Sequence, residues 1–332
     1  MPQITLTSGT SFVGPGDSSL LDAASRAGVH LPYSCKTGRC STCKCKVVGG
    51  RTRELFPEVG LTEQEKTQGW VLSCVRSAET DVIIEADDLG GVVLPDVRTW
   101  PCRISHLEHL ASDVVLVKLR LPPTADFCFI PGQYIDVIGP GGVRRSYSLA
   151  NSNFANKLLE LHIRSLEGGT MSDYWFNRAK VNDLLRLNGP LGTFFLRDST
   201  NLNLYFLATG TGMAPVIAIL ESLSSLLPEQ RPQSVNIFWG GRTSDDLYLD
   251  IKTLFPKFQF IPVLSRPEAG NISGTKGYVQ EVLLSTSPDL TNAAVYACGS
   301  DAMIHSAREI LIKAGLPSQR FFSDAFVCSA TN

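Results

Sequence analysis

The chain has almost no net charge, and this excludes one broad class of function. Its 30 Lys and Arg residues nearly balance its 32 Asp and Glu residues, which gives a formal net charge of -2. Proteins that bind nucleic acid in general carry a clear basic excess, because Lys and Arg must neutralise phosphates. We therefore expect no nucleic-acid partner.

The sequence also lacks a long apolar segment. Its longest uncharged run, residues 199–220, is interrupted by Gly210, Gly212 and Pro215. A membrane-spanning helix needs about 20 consecutive apolar residues. A strand followed by a helix explains this run better, so we expect no membrane span.

No secretory leader is evident, because the first residues, MPQITLTSGTSF, are polar and predict a strand. The nine cysteines are an odd number, which fits reduced thiols better than a disulfide framework. We therefore expect a cytoplasmic protein. The sequence contains no internal repeat and no low-complexity segment.

Four of the cysteines follow a diagnostic spacing. Cys35, Cys40 and Cys43 form C-x4-C-x2-C, and Cys74 follows at a distance. This is the plant-type ferredoxin spacing for a 2Fe-2S cluster. Structural thiols and a zinc site are the alternatives, but zinc sites usually combine two C-x2-C pairs, and only one occurs here. The sequence therefore predicts four cluster ligands and one-electron chemistry.

Hydrophobic periodicity divides the chain into three predicted domains. Residues 1–93 predict a small α+β domain, with a helix at 19–27 and a second helix after the capping box formed by Thr62 and Glu65. Residues 98–199 contain short strands separated by Pro and Gly, which predict an antiparallel β-barrel. In residues 200–332 strands and helices alternate, which is typical of an α/β parallel sheet that binds a nucleotide.

Two motifs in the barrel suit a flavin. Arg145, Tyr147 and Ser148 offer a cation for a pyrophosphate, a ring for the isoalloxazine and a hydroxyl near its reactive nitrogen. Strand alternation places Arg145 and Tyr147 on one face, although an ordinary barrel strand remains the alternative. Residues 168–172 then open a helix whose N-terminus can hold phosphate, with Arg164 nearby. The alternative there is a glycine turn with Ser172 as a simple N-cap.

The third domain begins with a glycine-rich turn containing Gly210, Thr211 and Gly212, where a nucleotide pyrophosphate can approach the backbone. Pro215 stands where G-x-G-x-x-G would have its third glycine, which tells against an ordinary Rossmann dehydrogenase. Cys298 follows a later parallel strand and is a candidate neighbour of the nicotinamide. A packed small thiol is the alternative.

Taken in order, these motifs resemble the ferredoxin-NADP reductase superfamily, in the form fused to an N-terminal plant-type 2Fe-2S ferredoxin of β-grasp fold. The resemblance covers essentially the whole chain. Residues 144–151, 189–195, 296–300 and 321–326 look most like the CDP-6-deoxy-Δ3,4-glucoseen reductases of dideoxysugar synthesis. Reductases of ring-hydroxylating oxygenases share the layout and resemble residues 34–46 at least as well.

The resemblance implies roles for particular residues, three of which (Ser148, Cys298 and Phe326) are expected at the reacting rings. FAD is implied to bind at Arg145, Tyr147 and Ser148, with its phosphate side at Arg164, Gly169, Met171 and Ser172. The nicotinamide nucleotide is implied to bind at Gly210, Thr211, Gly212, Cys298, Gly299 and Met303. Phe326 is implied to lie against the flavin where the nicotinamide enters.

The choice of nicotinamide coenzyme depends on the end of the second parallel strand. Arg242 is a lone cation there and two carboxylates follow it, whereas a 2'-phosphate requires clustered cations. The sequence favours NADH, with Arg242 as a coenzyme-binding residue, and leaves NADPH open.

The sequence thus predicts a monomeric NADH-dependent oxidoreductase that passes electrons through FAD and a 2Fe-2S cluster to a protein acceptor. The resemblance favours the CDP-4-keto-6-deoxyglucose-3-dehydrase of dideoxysugar synthesis over a Rieske-type or diiron oxygenase as that acceptor. An alternative of another class is a non-enzymatic iron-sulfur carrier or sensor, which has no use for flavin and nucleotide motifs.

Six cations near the cluster suggest either a docking face for an acidic partner or a solvated loop: Lys36, Arg39, Lys44, Lys46, Arg51 and Arg53.

Overall fold

The structure is a computed structural model that describes residues 1–154, 156–267 and 274–326. The chain divides into two compact units. One contains Met1–Leu94 and the residues from Asp324 onwards, and the other contains Pro95–Ser323. The second unit holds both the barrel and the parallel sheet.

The first unit is built on a five-stranded sheet of order β2-β1-β7-β3-β5. β1 is parallel to β7, and the other neighbouring pairs are antiparallel, which is the predicted β-grasp arrangement. β4 and β6 form a separate ribbon. The elements are β1 (Gln3–Leu6), β2 (Ser11–Val13), α1 (Leu20–Arg26), β3 (Lys44–Gly49), β4 (Thr52–Glu54), α2 (Glu63–Thr67), β5 (Trp70–Leu72), β6 (Arg76–Ala78) and β7 (Val82–Glu85).

Both helices of this unit begin where the sequence predicts. Ser19 caps α1, because its hydroxyl accepts the N-H of Asp22 at 3.0 Å. The predicted capping box of α2 is confirmed: the Thr62 hydroxyl accepts the N-H of Glu65 at 3.2 Å, and the Glu65 carboxylate accepts the N-H of Thr62 at 2.8 Å. α2 leads the chain into β5 and then to Cys74.

The barrel in the second unit is a six-stranded sheet of order β11-β10-β13-β8-β9-β12, whose neighbouring strands are antiparallel. An isolated antiparallel bridge between Leu149 and Leu161 joins its two ends. The elements are β8 (Arg98–Ala111), β9 (Val114–Arg120), β10 (Tyr134–Ile138), β11 (Arg144–Ser148), β12 (Leu158–Arg164), α3 (Thr170–Asp173), a π-helix (Tyr174–Arg178) and β13 (Leu184–Leu191).

The third sheet has the order β17-β16-β15-β14-β18-β19, and its strands from β14 to β18 pair in parallel. The order reverses between β14 and β18, and such a switch point leaves a crevice at the carboxyl ends of the strands. The elements are β14 (Asn203–Thr209), α4 (Met213–Leu223), β15 (Ser234–Gly241), α5 (Ile251–Leu254), β16 (Gln259–Leu264), β17 (Thr275–Lys276), α6 (Val279–Ser285), β18 (Ala293–Ser300), α7 (Asp301–Lys313) and β19 (Phe321–Phe326).

Two local predictions differ from the structure. The alternation of strands and helices predicts a helix from Asp245, whereas the structure has a single 3-10 turn at Ser244–Asp246 followed by the short α5. The Asp246 carboxylate accepts backbone N-H groups instead of facing solvent, and Pro256 prevents α5 from continuing. The stretch from Gly90 to Thr99 predicts a linker, but β8 begins within it at Arg98. Among the described residues, no helix combines the length and the apolar character that crossing a membrane requires.

Candidate functional site

The four predicted cluster cysteines approach one another as two pairs. The N-H of Cys35 lies 3.5 Å from the sulfur of Cys40, and the Cys43 and Cys74 sulfurs are 3.2 Å apart. In the described part of the chain, no group of three or more His, Cys, Asp or Glu side chains is arranged to hold a single metal ion. Two thiol pairs fit a two-iron cluster, in which each iron takes two cysteine ligands.

Each pair contains one thiol that loses its proton readily. The hydrogen bond from the Cys40 thiol lowers the pKa of Cys35 to about 5, and the bond from Cys43 likewise lowers the pKa of Cys74. The same hydrogen bonds raise the pKa of Cys40 and Cys43. Because iron binds thiolates, it must displace the proton of this second thiol in each pair. Cys45 differs, because burial raises its pKa to about 12 and it packs in the core of the unit.

The cluster loop is held by a neighbouring segment of the chain. Gly38 has φ of +73°, and a Cβ there would lie 2.5 Å from the Pro57 carbonyl oxygen. The N-H of Gly60 donates to the Gly38 carbonyl at 2.9 Å, and the Ser41 hydroxyl donates to the Gly60 carbonyl at 2.5 Å. Ser41 itself has φ of +58°, and this hydrogen bond offsets part of that strain.

Sequence reasoning missed the partner of the residue before the first ligand. The hydroxyl of Ser34 donates to the carboxylate of Asp324 at 2.5 Å, and both residues are buried. The two positions are 290 residues apart in sequence, so no local pattern connects them.

The flavin strand β11 has the predicted alternation. Arg144 and Ser146 both contact Asp136 on one face, and Arg145 and Tyr147 lie on the other. The Tyr147 hydroxyl accepts a hydrogen bond from the Trp175 ring nitrogen at 3.0 Å, and burial raises the pKa of Tyr147 to about 12. The tyrosine ring is therefore fixed in place and stays protonated. Ser148, next along the strand, is buried.

The predicted phosphate-binding helix begins at Thr170, with Gly169 as its N-cap. The alternative of Ser172 as a simple N-cap is wrong, because its hydroxyl accepts the N-H of Leu166 from inside the first turn at 2.9 Å. Met171 is buried beside Gly139. The Gly169 N-H donates to the Leu166 carbonyl at 3.0 Å, so phosphate binding at this helix N-terminus stays a prediction that concerns the turn from Thr170 onwards.

Arg164 lies at the end of β12 and contacts the nucleotide half of the same unit. Its Nε is 3.1 Å from the Asp113 carboxylate, and its Nη2 is 3.4 Å from the Asp246 carboxylate. Its Nη1 lies 2.9 Å from where a Cβ on Gly210 would stand. Binding of the flavin phosphate by Arg164 stays a prediction, while the observed contacts direct its charge to the glycine-rich turn.

The glycine-rich turn and the end of β18 meet at the switch point. A Cβ on Gly212 would lie 2.3 Å from the Cys298 carbonyl oxygen, and a Cβ on Gly299 would lie 2.2 Å from the Thr209 hydroxyl oxygen. Gly299 also has φ of +131°, which side-chain-bearing residues rarely adopt. The Ser300 hydroxyl accepts the N-H of Met303 at 3.4 Å and starts α7. Close backbone approach of this kind suits a dinucleotide.

Two residues predicted at the reacting rings occupy different surroundings. Cys298 is fully buried in the core of the nucleotide domain. Phe326 is the last described residue and is 39% exposed. Contact of either side chain with the nicotinamide or the flavin stays a prediction.

Asp246 is the carboxylate that contacts Arg242. It accepts the N-H groups of Arg242 at 2.7 Å and Thr243 at 3.3 Å, and it lies 3.6 Å from the Arg242 Nε. Burial raises the pKa of Asp246, but these N-H groups and the charges of Arg164 and Arg242 outweigh burial, so the pKa is lowered overall. Asp246 is therefore a fixed anion at this position.

Comparison with known proteins agrees with this geometry. Residues 4–79 match the 2Fe-2S iron-sulfur cluster binding domain, residues 101–196 the oxidoreductase FAD-binding domain and residues 206–309 the oxidoreductase NAD-binding domain. The chain therefore belongs to the ferredoxin reductase family of iron-sulfur flavoproteins, in which a 2Fe-2S domain is joined to FAD-binding and NAD-binding oxidoreductase domains.

Particular relatives cover nearly the whole chain. It is 39% identical to the CDP-6-deoxy-L-threo-D-glycero-4-hexulose-3-dehydrase reductase of Yersinia pestis over 97% of both chains. It is 33% identical to the reductase component of propane 2-monooxygenase of Rhodococcus jostii, over 95% of this chain and 88% of the relative. Among solved structures, the Amycolatopsis cytochrome P450 reductase is 28% identical with a TM-score of 0.75, over 98% of this chain and 99% of that one.

The chain is thus an oxidoreductase that passes electrons from NADH, through FAD and a 2Fe-2S cluster, to a partner. Bound FAD would supply the step between paired and single electrons, because a flavin can accept the two electrons of a hydride together and release them one at a time. A non-enzymatic carrier or sensor is not supported by these matches.

We expect Cys40→Ala to separate the two halves of the electron path. Without this thiol the cluster loses a ligand, whereas the flavin and nucleotide residues of the barrel and the parallel sheet lie in the other unit and keep their contacts. NADH should still bleach the flavin absorbance, while delivery to a protein acceptor is lost. Stopped-flow spectroscopy checks both, and loss of bleaching in a folded, FAD-loaded variant contradicts this wiring.

Proposed function

We propose that the chain is the reductase partner of a CDP-6-deoxyhexulose 3-dehydrase, to which it supplies single electrons for removal of the C3 hydroxyl of the nucleotide sugar. The observation that carries the proposal is the 39% identity, over 97% of both chains, to the Yersinia pestis dehydrase reductase. The reductase components of monooxygenases match with lower identity, at 33% and below. An oxygenase partner is the second candidate.

In this proposal the chain's own residues bind and orient the two rings. Arg145 offers its charge to the FAD pyrophosphate, and Tyr147, fixed by Trp175, offers a ring face. Ser148 stands near the reactive nitrogen, and the first turn of α3, which begins after Gly169, binds the phosphate side. For the nicotinamide, Cys298 and Phe326 are proposed as neighbours. We also propose that the protein acts as a monomer and that it lies in the cytoplasm. Its odd number of cysteines supports only the second of these, because it fits reduced thiols.

NADH is the coenzyme that the surroundings of Arg242 support. Asp246 accepts the backbone N-H of Arg242 and lies 3.6 Å from the guanidinium Nε, while the arginine side chain is 66% exposed. A 2'-phosphate that approached Arg242 would be repelled by the negative charge of Asp246. A ribose 2'-hydroxyl meets no such cost.

Many cations near the cluster are already engaged inside the first unit. A cation that already has a partner within the unit attracts an acidic protein less strongly, and the charge that stays exposed is screened by salt. Docking by charge alone is therefore weakened. The observed contacts are Lys36 with Asp22 at 3.5 Å, Lys44 with Glu65 at 2.7 Å, Lys46 over the ring of Trp70 at 5.8 Å, and Arg53 with the Gly16 carbonyl at 2.5 Å.

The surface beside the cluster loops is apolar. Phe56 and Val59 are 66% and 69% exposed, and they flank Pro57, whose carbonyl lies against Gly38. Backbone hydrogen bonds from Phe56 and from its neighbour Leu55 to Val75 fix the segment next to Cys74. Because electrons leave through the cluster, we infer that the acceptor covers Phe56 and Val59 with an apolar surface of its own.

The acceptor is tested with purified components. We expect NADH oxidation by the protein to couple to a CDP-6-deoxyhexulose 3-dehydrase, with sugar product formed in proportion to NADH consumed. Controls omit the dehydrase or replace it with the hydroxylase component of propane 2-monooxygenase. Turnover with the hydroxylase and none with the dehydrase would transfer the assignment to the oxygenase class.

The coenzyme preference has its own test. Asp246→Asn removes the charge that holds Arg242, so we expect kcat/KM for NADPH to rise about tenfold relative to NADH, a change of about 1.4 kcal/mol. Asp245→Asn is the matched control, because that neighbouring carboxylate is exposed. An equal change in both variants would show that the negative charge of this region in general, and not the contact of Asp246 with Arg242, sets the preference for NADH.

The docking surface is tested by surface substitutions that leave the core intact. We expect Phe56→Ser with Val59→Ser to raise the KM for the protein acceptor about tenfold and to leave ferricyanide reduction unchanged, with little dependence on salt. Val13→Ser is the control, since Val13 is 51% exposed on β2, the edge strand opposite β5. An unchanged KM together with a strong salt dependence would favour the charged docking face instead.

A further inference from the structure

A buried ion pair lies behind the loop that carries Cys74. The side chain of Glu58 is 0% exposed and that of Arg76 is 18% exposed, with 3.0 Å between the Glu58 Oε2 and the Arg76 Nη2. The other carboxylate oxygen of Glu58 accepts the N-H of Leu72 at 2.6 Å. Leu72 and Arg76 stand two residues before and two residues after Cys74. Glu58 therefore holds both ends of the segment that presents the fourth ligand.

Burial of the Glu58–Arg76 pair costs free energy, and neither residue is a predicted ligand of the cluster. Removing a carboxylate from water is unfavourable unless it is paired and hydrogen-bonded. Burial raises the pKa of Glu58, and the Leu72 N-H and the Arg76 charge offset only part of that rise, so the pKa is raised overall. Apolar side chains of similar volume often stabilise a fold as well as a buried ion pair does. Stability alone is therefore a weak reason for the pair, and its position beside Cys74 suggests another.

We propose that Glu58 and Arg76 position the Cys74 loop and set the reduction potential of the cluster through their fixed charges. Reduction adds one electron, and hence one negative charge, to the cluster. A buried anion nearby disfavours that charge and a buried cation favours it, because the protein interior screens charges weakly. Cluster potentials respond to local charge, hydrogen bonding and solvent exposure. This role does not depend on which protein receives the electrons.

The first test separates charge from anchoring. Glu58→Gln keeps an oxygen that accepts the Leu72 N-H and removes the negative charge. We expect full iron and sulfide content and a potential raised by about tenfold in the reduction equilibrium constant, which is about 59 mV for one electron. Redox titration followed by EPR of the reduced cluster measures it in the full-length, FAD-loaded protein.

A matched control uses the exposed partner of the same arginine. Glu54 lies 3.8 Å from the Arg76 Nη2, and its side chain is 48% exposed. Glu54→Gln removes the same charge from the same cation, but solvent screens it, so its shift should be much smaller. Equal shifts in Glu58→Gln and Glu54→Gln, or no shift in either, would overturn the proposal.

Substitution of the cation tests the opposite direction of shift in the cluster reduction potential. Arg76→Gln leaves Glu58 without its cation and should lower the potential, and combining it with Glu58→Gln should return the potential towards the parent value. If Glu58→Gln does not retain its cluster, the sign of the shift in Arg76→Gln decides: a lower potential supports the proposal, and an unchanged or higher one rejects it.

Anchoring has a separate readout. Glu58→Leu fills the site but cannot accept the Leu72 N-H, so the Cys74 segment loses its fixed position. We expect a broadened EPR signal and a several-fold faster loss of cluster absorbance in a chelator than in Glu58→Gln. Identical EPR spectra and loss rates for the two variants would show that Glu58 does not position the loop.

Discussion

The structure of the first unit depends on one requirement: thiols that are distant in sequence must reach two adjacent irons. Cys43 and Cys74 are 31 residues apart, yet their sulfurs are 3.2 Å apart. The register of the sheet accounts for this. β3 begins immediately after Cys43, β5 ends shortly before Cys74, and the two strands pair with Lys44 opposite Leu72. A shift of one residue would turn every side chain of the strand to the other face and separate the ligands.

The nucleotide half meets a comparable requirement through strand order. Because β14 pairs with β15 on one side and β18 on the other, the carboxyl ends of β14 and β18 lie side by side at the switch point. The end residues Thr209 and Ser300 are 91 residues apart in sequence, and the Ser300 N-H donates to the Thr209 hydroxyl at 2.9 Å. Gly212 and Gly299 then let backbone approach backbone more closely than any side chain allows. Pro215 is compatible with this turn, since the first N-H groups of a helix have no intrahelical partner and its loss of a donor costs little.

Local patterns made much of this predictable. The cysteine spacing, the capping box of α2 and the alternation of strands and helices are all read from neighbouring residues, and the structure has each of them. Glu58 was not predictable, because Pro57 and Gly60 make its surroundings look like an exposed turn, while its partners Leu72 and Arg76 come from another part of the chain. For the same reason, the sequence predicted a helix from Asp245, where the structure has a 3-10 turn and the Asp246 carboxylate accepts backbone N-H groups.

Two ion pairs that sequence reasoning missed share a physical feature. The pair of Glu58 with Arg76 near the cluster and the pair of Asp246 with Arg164 near the nucleotide turn are charges neutralised inside the fold. Exposed charges lose their influence beyond about 8 Å at physiological salt, whereas buried charges are screened far less. A chain that accepts and releases electrons changes its own charge at each step. Compensating charges that are buried act on the energy of those steps with little screening by the surrounding salt.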